Sequence, residues 1–412
     1  MTNVSLFRAI ELVLIFTGFI AATYGFGIYL FPALAPEMIK DIGFSYNQMG
    51  VTTGLVQAAF MLFALISGLI TARFGAFRII QLSSYTCLLC LAGLFFADNF
   101  IIISALLILM GGCAASVWVP MVEVSQQVIK PQHQGKAFGL MSSGTSYGVF
   151  INSLLIAYIL PVYGWKLMWA ITALIVLVLC IYSSFRLRSY NKPTVINTNE
   201  NVIVSSSTVS LKDRILSLPR MTTIAILLMM FLNGMSCIPY QTYLSSFLVN
   251  DRGVDVETSA YVWSIIGITG MVGGFLMGWL ADKITVRWAL FFTYLILTAS
   301  TYTLLFVDID KISLFAMAVS FGLAFYAIFG LVPAYISKVY KNQTAALVFS
   351  FGNIALGCGG LIGNVLGGVF KANTGNFEYI YLLIIAAAIG SAILSIFMKS
   401  ENSFEERSAL LT

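Results

Sequence analysis

The sequence predicts an all-α membrane protein of 12 transmembrane helices, arranged as two pseudo-symmetric six-helix bundles. Three observations predict it: a composition too apolar for water, a series of segments each long enough to cross a bilayer, and landmarks in the first half that recur in the second. Of 412 residues, 59% are hydrophobic and 9% charged, against about 45–50% and about 25% in soluble domains. Such a chain carries more apolar surface than a soluble core can hide.

A helix needs roughly 20 residues to span a hydrocarbon core. Apolar segments of that kind lie at about 10–34, 49–72, 79–97, 101–125, 137–160 and 166–186, then at 221–248, 259–281, 288–307, 312–337, 345–370 and 377–398. They are continuous and lack the period-two alternation of barrel strands, which indicates helices. The first is too long, and too plainly followed by others, to be a cleaved signal peptide. With both termini cytoplasmic, 17 of the 22 Lys and Arg residues fall on the cytoplasmic side; Lys40, Lys166, Arg252, Lys311 and Lys371 do not. That is the positive-inside bias. The polar, Ser- and Asn-rich stretch 187–219 then reads as a cytoplasmic linker, with a short interfacial helix expected near Leu211 to Leu218. It separates an N-terminal bundle (1–186) from a C-terminal bundle (220–398), which is followed by a tail (399–412).

The halves share landmarks. Phe31-Pro32 in the first span answers Ile238-Pro239 in the seventh, Gly68 answers Gly278, and Val119-Pro120 answers Val332-Pro333, at offsets of 207, 210 and 213. From each Val-Pro pair marker glycines recur at the same spacing, Gly139 and Gly144 in one half, Gly352 and Gly357 in the other. Small shifts confined to the connections are what a duplicated bundle leaves.

After the eighth span stands GWLADKITVR, and after the second SGLITARFGAFR. The former resembles the signature of the major facilitator superfamily: Gly278, Leu280, Asp282, Lys283 and Arg287 match, and Thr285 stands where the family has glycine. In the other copy Gly68, Arg73 and Gly75 match, and Ala72 replaces the usual acid. The resemblance covers nearly the whole chain and implies the major facilitator fold. It further implies a central cavity lined by spans 1, 4, 7 and 10, and a gate at the signature loops. The runs GKAFGLMSSGTSYG and GWKLMW resemble branches that include monocarboxylate-type porters. The arginine that drug-proton antiporters carry in the fourth span is missing from Leu106 to Met110.

An ionisable side chain at membrane depth is costly and usually functional. Here every Lys and Arg reads as a loop or edge residue, and the one histidine, His133, as a loop residue between spans 4 and 5. Glu11 reads as interfacial beside Arg8. Glu123, near the cytoplasmic end of span 4, is a candidate gate latch toward Arg73 or Arg78, or else a proton-coupling carboxylate. With no buried cation to meet an anion, the cavity favours a neutral, zwitterionic or largely apolar solute. Efflux of a drug, siderophore or metabolite by proton coupling, and uptake of an organic acid such as a monocarboxylate, are the alternatives. A transport-dead sensor is a third. An enzyme would need a catalytic pair at depth, and none is expected.

For the solute, Asn233, Ser236, Cys237 and Tyr240 share the i, i+3, i+4, i+7 spacing of one helical face. Gln241, Tyr24, Trp118 and Tyr326 join them as candidates at similar depth, and Asn152 and Asn364 are secondary. The gating candidates are Gly68, Arg73, Arg78, Glu123, Gly278, Asp282, Lys283 and Arg287. Alternatively these polar groups act as glue between helices. The 6 cysteines sit in apolar stretches without metal or disulfide spacing and read as packing residues. No cofactor, metal or nucleic acid is expected. The expected partners are a small-molecule solute, a coupling proton and the lipid bilayer, around a monomer. The net charge of +5 belongs to topology, not to a nucleic-acid patch. ERSALLT at the C-terminus resembles an acidic dileucine sorting signal, whereas the compact loops point to a bacterial inner membrane.

Overall fold

The structure, a computed structural model, describes residues 6–128, 137, 139–187, 220–340 and 342–399, with no strand among them. Twelve helices are long and apolar enough to cross a membrane. We number them α1 to α12. α1 runs in two pieces, Leu6–Ile20 and Leu30–Ile42, with a π-helical segment Ala21–Phe26 between. It is followed by α2 (Tyr46–Phe74), α3 (Ala76–Phe96), α4 (Phe100–Val128), α5 (Gly144–Tyr158) and α6 (Leu160–Leu187). The second half holds α7 (Arg220–Ser246, prolonged by the π-helical Phe247–Asp251), α8 (Val256–Ile284), α9 (Val286–Phe306), α10 (Lys311–Val339), α11 (Asn342–Thr374) and α12 (Glu378–Phe397). The linker with its expected interfacial helix, His133, the C-terminal motif and the Glu123 side chain lie outside the described residues.

One boundary differs from expectation. α1 continues to Ile42, past the expected end near residue 34. Glu37 and Lys40 pair at 2.7 Å on the helix surface, and Asp41 accepts the Trp165 indole N–H at 2.8 Å. The helix stops only at Gly43, whose φ of 82° supplies the left-handed C-cap.

The repeat extends to the backbone. α2 and α8 both have 29 residues, α3 and α9 both have 21, and α4 and α10 both have 29. Ser45 caps α2 through the Gln48 amide and Asp255 caps α8 through the Thr258 amide. That Thr258 N–H, with the Thr258 hydroxyl, holds the Asp255 carboxyl below its ordinary pKa. The turn between α2 and α3 places Gly75 at φ 85°, ψ 136°; the equivalent turn between α8 and α9 places Thr285 at φ 83°, ψ 151°. Glycine adopts that region freely, whereas a β-branched residue there is strained by about 1–3 kcal/mol. The Thr285 hydroxyl is also buried without a hydrogen-bond partner. Thus the second signature copy keeps the turn after losing the residue that suits it.

Within the halves, α1 packs on α5 as α7 packs on α11, α2 on α4 as α8 on α10, and α3 on α6 as α9 on α12. Five cysteines are buried inside these contacts and all six are free. Glu11, near the start of α1, has its partners on α6. Its carboxylate is buried and paired across the bundle with Arg186 of α6, Nη2 donating at 2.7 Å, and with the Tyr182 hydroxyl at 2.9 Å. Arg186 is therefore a structural partner in α6, not a free loop charge.

Two stability measurements check these points. Thr285→Gly should raise the thermal stability of the purified protein by about 1–2 kcal/mol, and Gly75→Thr should lower it by a similar amount; no change in either would remove the strain. Glu11→Gln should lower stability by about 1–3 kcal/mol, since it weakens a bidentate, charge-assisted pair half exposed on its Arg186 side.

Candidate functional site

The two bundles meet along α2 with α11 and along α5 with α8, toward the face opposite the one where α12 ends. On α2, a Cβ on Gly50 would come within 2.5 Å of the Asn364 carbonyl, and one on Gly54 within 3.1 Å of Val365. On α5, Ser153 and Ser264 share a hydrogen bond of 2.6 Å. Toward the other face, Gly68 and Gly278 look onto open space. The bundle interface is closed toward the face of Gly50, Gly54 and Ser153; at the end bearing the signature loops, Gly68 and Gly278 have free space beside them among the described residues.

A break in α1 shapes the closed half. The π-helical turn and the interruption at residues 27–29 leave the Tyr24 carbonyl accepting the amides of both Ile28 and Tyr29 at 3.0 Å. Asn152 of α5 donates to the freed Gly25 carbonyl at 2.7 Å. That approach is possible because Gly25 and Gly148 meet backbone to backbone: a Cβ on Gly25 would lie 2.5 Å from the Gly148 Cα. Asn152 is thus a brace for α1.

Below the break lies a cavity of about 30 Å³ lined by Tyr29, Gln57, Ile238, Thr242 and Asn364 among others. It has room for about two water molecules and is too small for an organic solute. Its lining is uncharged. The Asn364 side-chain carbonyl, and both polar atoms of Gln241, are buried without a partner. Gln241 sits on the stretch of α7 between Ile238 and Ser245, residues that line two small cavities between the bundles. The hydroxyls of Tyr326 (α10) and Ser146 (α5) are neighbours across the same interface without a direct hydrogen bond.

The sequence candidates divide. Tyr24 packs edge-on against Phe60 at 6.0 Å, and Tyr29, which sequence reasoning passed over, packs edge-on against Phe325 of the other bundle at 6.5 Å. Tyr29 lies in the electrostatic neighbourhood of Tyr24, Tyr326 and Cys237. Trp118 is half-buried on α4. The α7 stripe, in contrast, turns partly inward. Tyr240 is fully buried, stacked on Phe321 at 3.9 Å and bonded to Ser300 at 3.0 Å, inside the second bundle. Asn233 accepts the Cys237 thiol at 3.1 Å, and Ser236 bonds to the Asn233 carbonyl at 3.2 Å. Gln57, Thr242 and Asn364 come to the cavity from α2, α7 and α11. The only sequence signal for them was a lone amide or hydroxyl in an apolar span.

The gating candidates have local partners. Arg73 and Arg78 are exposed, the former 5.9 Å from the Phe74 ring. Lys283 sits 3.9 Å over the Trp279 ring, and Arg287 donates to the Met398 carbonyl at 3.1 Å, tying α9 to the end of α12. Asp282 is exposed and makes no ion pair among the described residues.

The profile of the major facilitator superfamily matches residues 15–346 and 271–409. The chain belongs to that superfamily. A hexuronate transporter of Bacillus subtilis (strain 168) is 20% identical over 372 residues, covering 87% of both chains. Among solved structures, a bacterial homologue of the human lysosomal transporter Spinster, captured inward-facing and unoccupied, matches with a TM-score of 0.69 at 15% identity over 96% of this chain and 95% of that one. A mutant of the nucleoside transporter NupG matches with a TM-score of 0.73 at 12% identity over 95% and 99%. The protein is accordingly a multi-pass secondary transporter of this superfamily and not an enzyme.

Two substitutions at consecutive residues of α7 separate packing from an unfilled polar site. Tyr240→Phe should lower thermal stability by about 1 kcal/mol through loss of the Ser300 bond. Gln241→Leu should raise it by about 1–2 kcal/mol, because it removes an amide buried without partners. Equal losses in both would make Gln241 an ordinary packing residue.

Proposed function

We propose that the chain carries a small, uncharged, hydrogen-bonding organic solute by alternating access, its two bundles (1–186 and 220–398) rocking about the interface under the control of the 187–219 linker. One observation carries the reading: the interface is closed at one end, has free space beside Gly68 and Gly278 at the other, and holds between them a cavity lined by amides, hydroxyls and aromatic rings without a charge. In the orientation set by the basic loops, with both termini cytoplasmic, this is an inward-facing state. Asp282, exposed and without an ion pair among the described residues, and the free space at Gly68 and Gly278 fit a cytoplasmic gate that is disengaged. Its Glu123 and Arg73 would meet other partners when that side closes.

The solute class follows from the lining. Amides offer a donor and an acceptor side by side, the pattern that hydroxyl-rich or nucleobase-like molecules match, while aromatic faces cover apolar carbon. The known relatives differ on charge, one named for a hexuronate and one for nucleosides. The absence of any cation among the described lining residues favours a neutral solute, since a buried anion needs a partner. Tyr24, Tyr29, Gln241, Tyr326 and Trp118 are the side chains assigned to it. Asn233, Ser236 and Tyr240 support α7 from behind. The membrane is the bacterial cytoplasmic membrane, with no cofactor and with a monomer as the working unit.

Uptake into vesicles reconstituted with the purified protein tests this. A panel of neutral sugars, nucleosides, hexuronates and monocarboxylates, each with and without a proton gradient, should show saturable transport of a neutral member. Tyr29→Phe and Tyr326→Phe should each weaken its apparent affinity roughly threefold to tenfold, the loss of one hydrogen bond. Transport confined to the acids would overturn the solute class. Dependence on the gradient, lost in Glu123→Gln, would make that carboxylate the proton carrier.

A further inference from the structure

At the closed end of the interface, the end of α7 and the end of α11 are joined by an ion pair between Asp251 and Lys371, whose side chains are 8% and 11% exposed. The second oxygen of Asp251 accepts the Phe377 backbone N–H at 2.7 Å. All three residues belong to the C-terminal bundle, so this cluster travels as one piece. A single aromatic residue of the other bundle sits on it. Tyr46, the first residue of α2, places its ring 5.6 Å from the Lys371 ammonium and edge-on to Phe377 at 5.0 Å, and its hydroxyl accepts a hydrogen bond of 2.7 Å from the Asn250 amide. Lys371 also lies 4.7 Å from the Phe377 ring, so two aromatic faces flank the ammonium. Close approach is secured by Gly368, where a Cβ would come within 2.6 Å of the Tyr46 carbonyl.

We infer that Tyr46 is the latch of the face opposite the signature loops, and that the Lys371–Asp251 pair is its preformed receptacle. This rests on the alternating-access reading above. The ion pair satisfies its own charges within one bundle, so it persists when the bundles part. The interactions that break are those of Tyr46: the attraction of the cation for the ring face and the Asn250 hydrogen bond. Both span the two bundles, so they break together when the bundles part and solvent takes the partner's place. The latch therefore holds the closed state without a salt bridge between bundles, which would have to be dissociated and rehydrated in every cycle. Its residues lie far apart in the sequence, in α2, at the end of α7 and in α11.

The test measures distances between spin labels on the α3–α4 and α9–α10 connections, which lie on this face, in the full-length protein in lipid nanodiscs without solute. Wild type should show mainly the short distance. Tyr46→Ala and Tyr46→Leu should each raise the ratio of long to short distances roughly fivefold or more, and Tyr46→Phe, which keeps the ring and loses only the hydroxyl, about twofold to threefold. A wild-type distribution in Tyr46→Leu would overturn the proposal, because apolar filling alone would then suffice; so would no change in Tyr46→Ala. A single distance in wild type and every variant would overturn the latch and alternating access together. The expected shifts without transport of any solute in the panel would uphold the latch and sink only the solute reading.

Discussion

Hydrocarbon offers no hydrogen bonds, so every backbone group that a helix releases inside a membrane must be answered by the chain itself. The interrupted α1 is where this constraint acts most visibly. Its break frees the Gly25 carbonyl, Asn152 of α5 takes it, and the glycine pair Gly25 and Gly148 brings the two backbones together. α5 is thereby fixed to α1 on one side while its Ser153 meets Ser264 of the other bundle. The half-helix beyond the break is held against α7, with lesser contacts to α5 and α6, and the small polar cavity lies beside it, lined by residues of α1, α2, α7 and α11. The position of the cavity thus follows from the need to answer one carbonyl.

The two ends of the molecule are built from different interactions. At the face of the signature loops, long basic side chains lie over neighbouring rings or hold a nearby carbonyl, contacts that are local and survive a change in bundle spacing. At the opposite face the contacts are short, span the interface and include buried polar atoms. Unpartnered amides lie between. Gln241 and Asn364 are tolerable in such a place only if water or a solute answers them for part of the cycle.

Much of the fold was legible from the sequence, because span length and apolar continuity are local properties. The exception is instructive: the apolar run of α1 ends at about residue 34, yet local pairing of Glu37 with Lys40 and the Trp165 indole on Asp41 let the helix run a further two turns. Periodicity correctly placed Asn233, Cys237 and Tyr240 on one face of α7. It could not say which neighbour that face meets, and Tyr240 turns out to be stacked inside its own bundle. Tyr29, Gln57 and Thr242 were passed over, and Asn364 ranked only second, for a related reason: α2 and α11 line the cavity only because the bundles close on each other, and no local signal encodes that. The turn at Thr285 was legible as a mismatch with the family pattern, though its backbone strain was not.

The charges near the bundle interface have an electrical consequence. Glu11 is neutralised by Arg186 near one face, and Asp251 by Lys371 near the other. Among the described residues, no unpaired charge sits in between. A charge carried across a membrane experiences about 2.3 kcal/mol of work per 100 mV, but a neutral pair moving as a unit experiences almost none. On the alternating-access reading, these neutral pairs leave reorientation of the empty carrier little coupled to the membrane potential. Voltage would then act on this protein chiefly through the charge of its cargo.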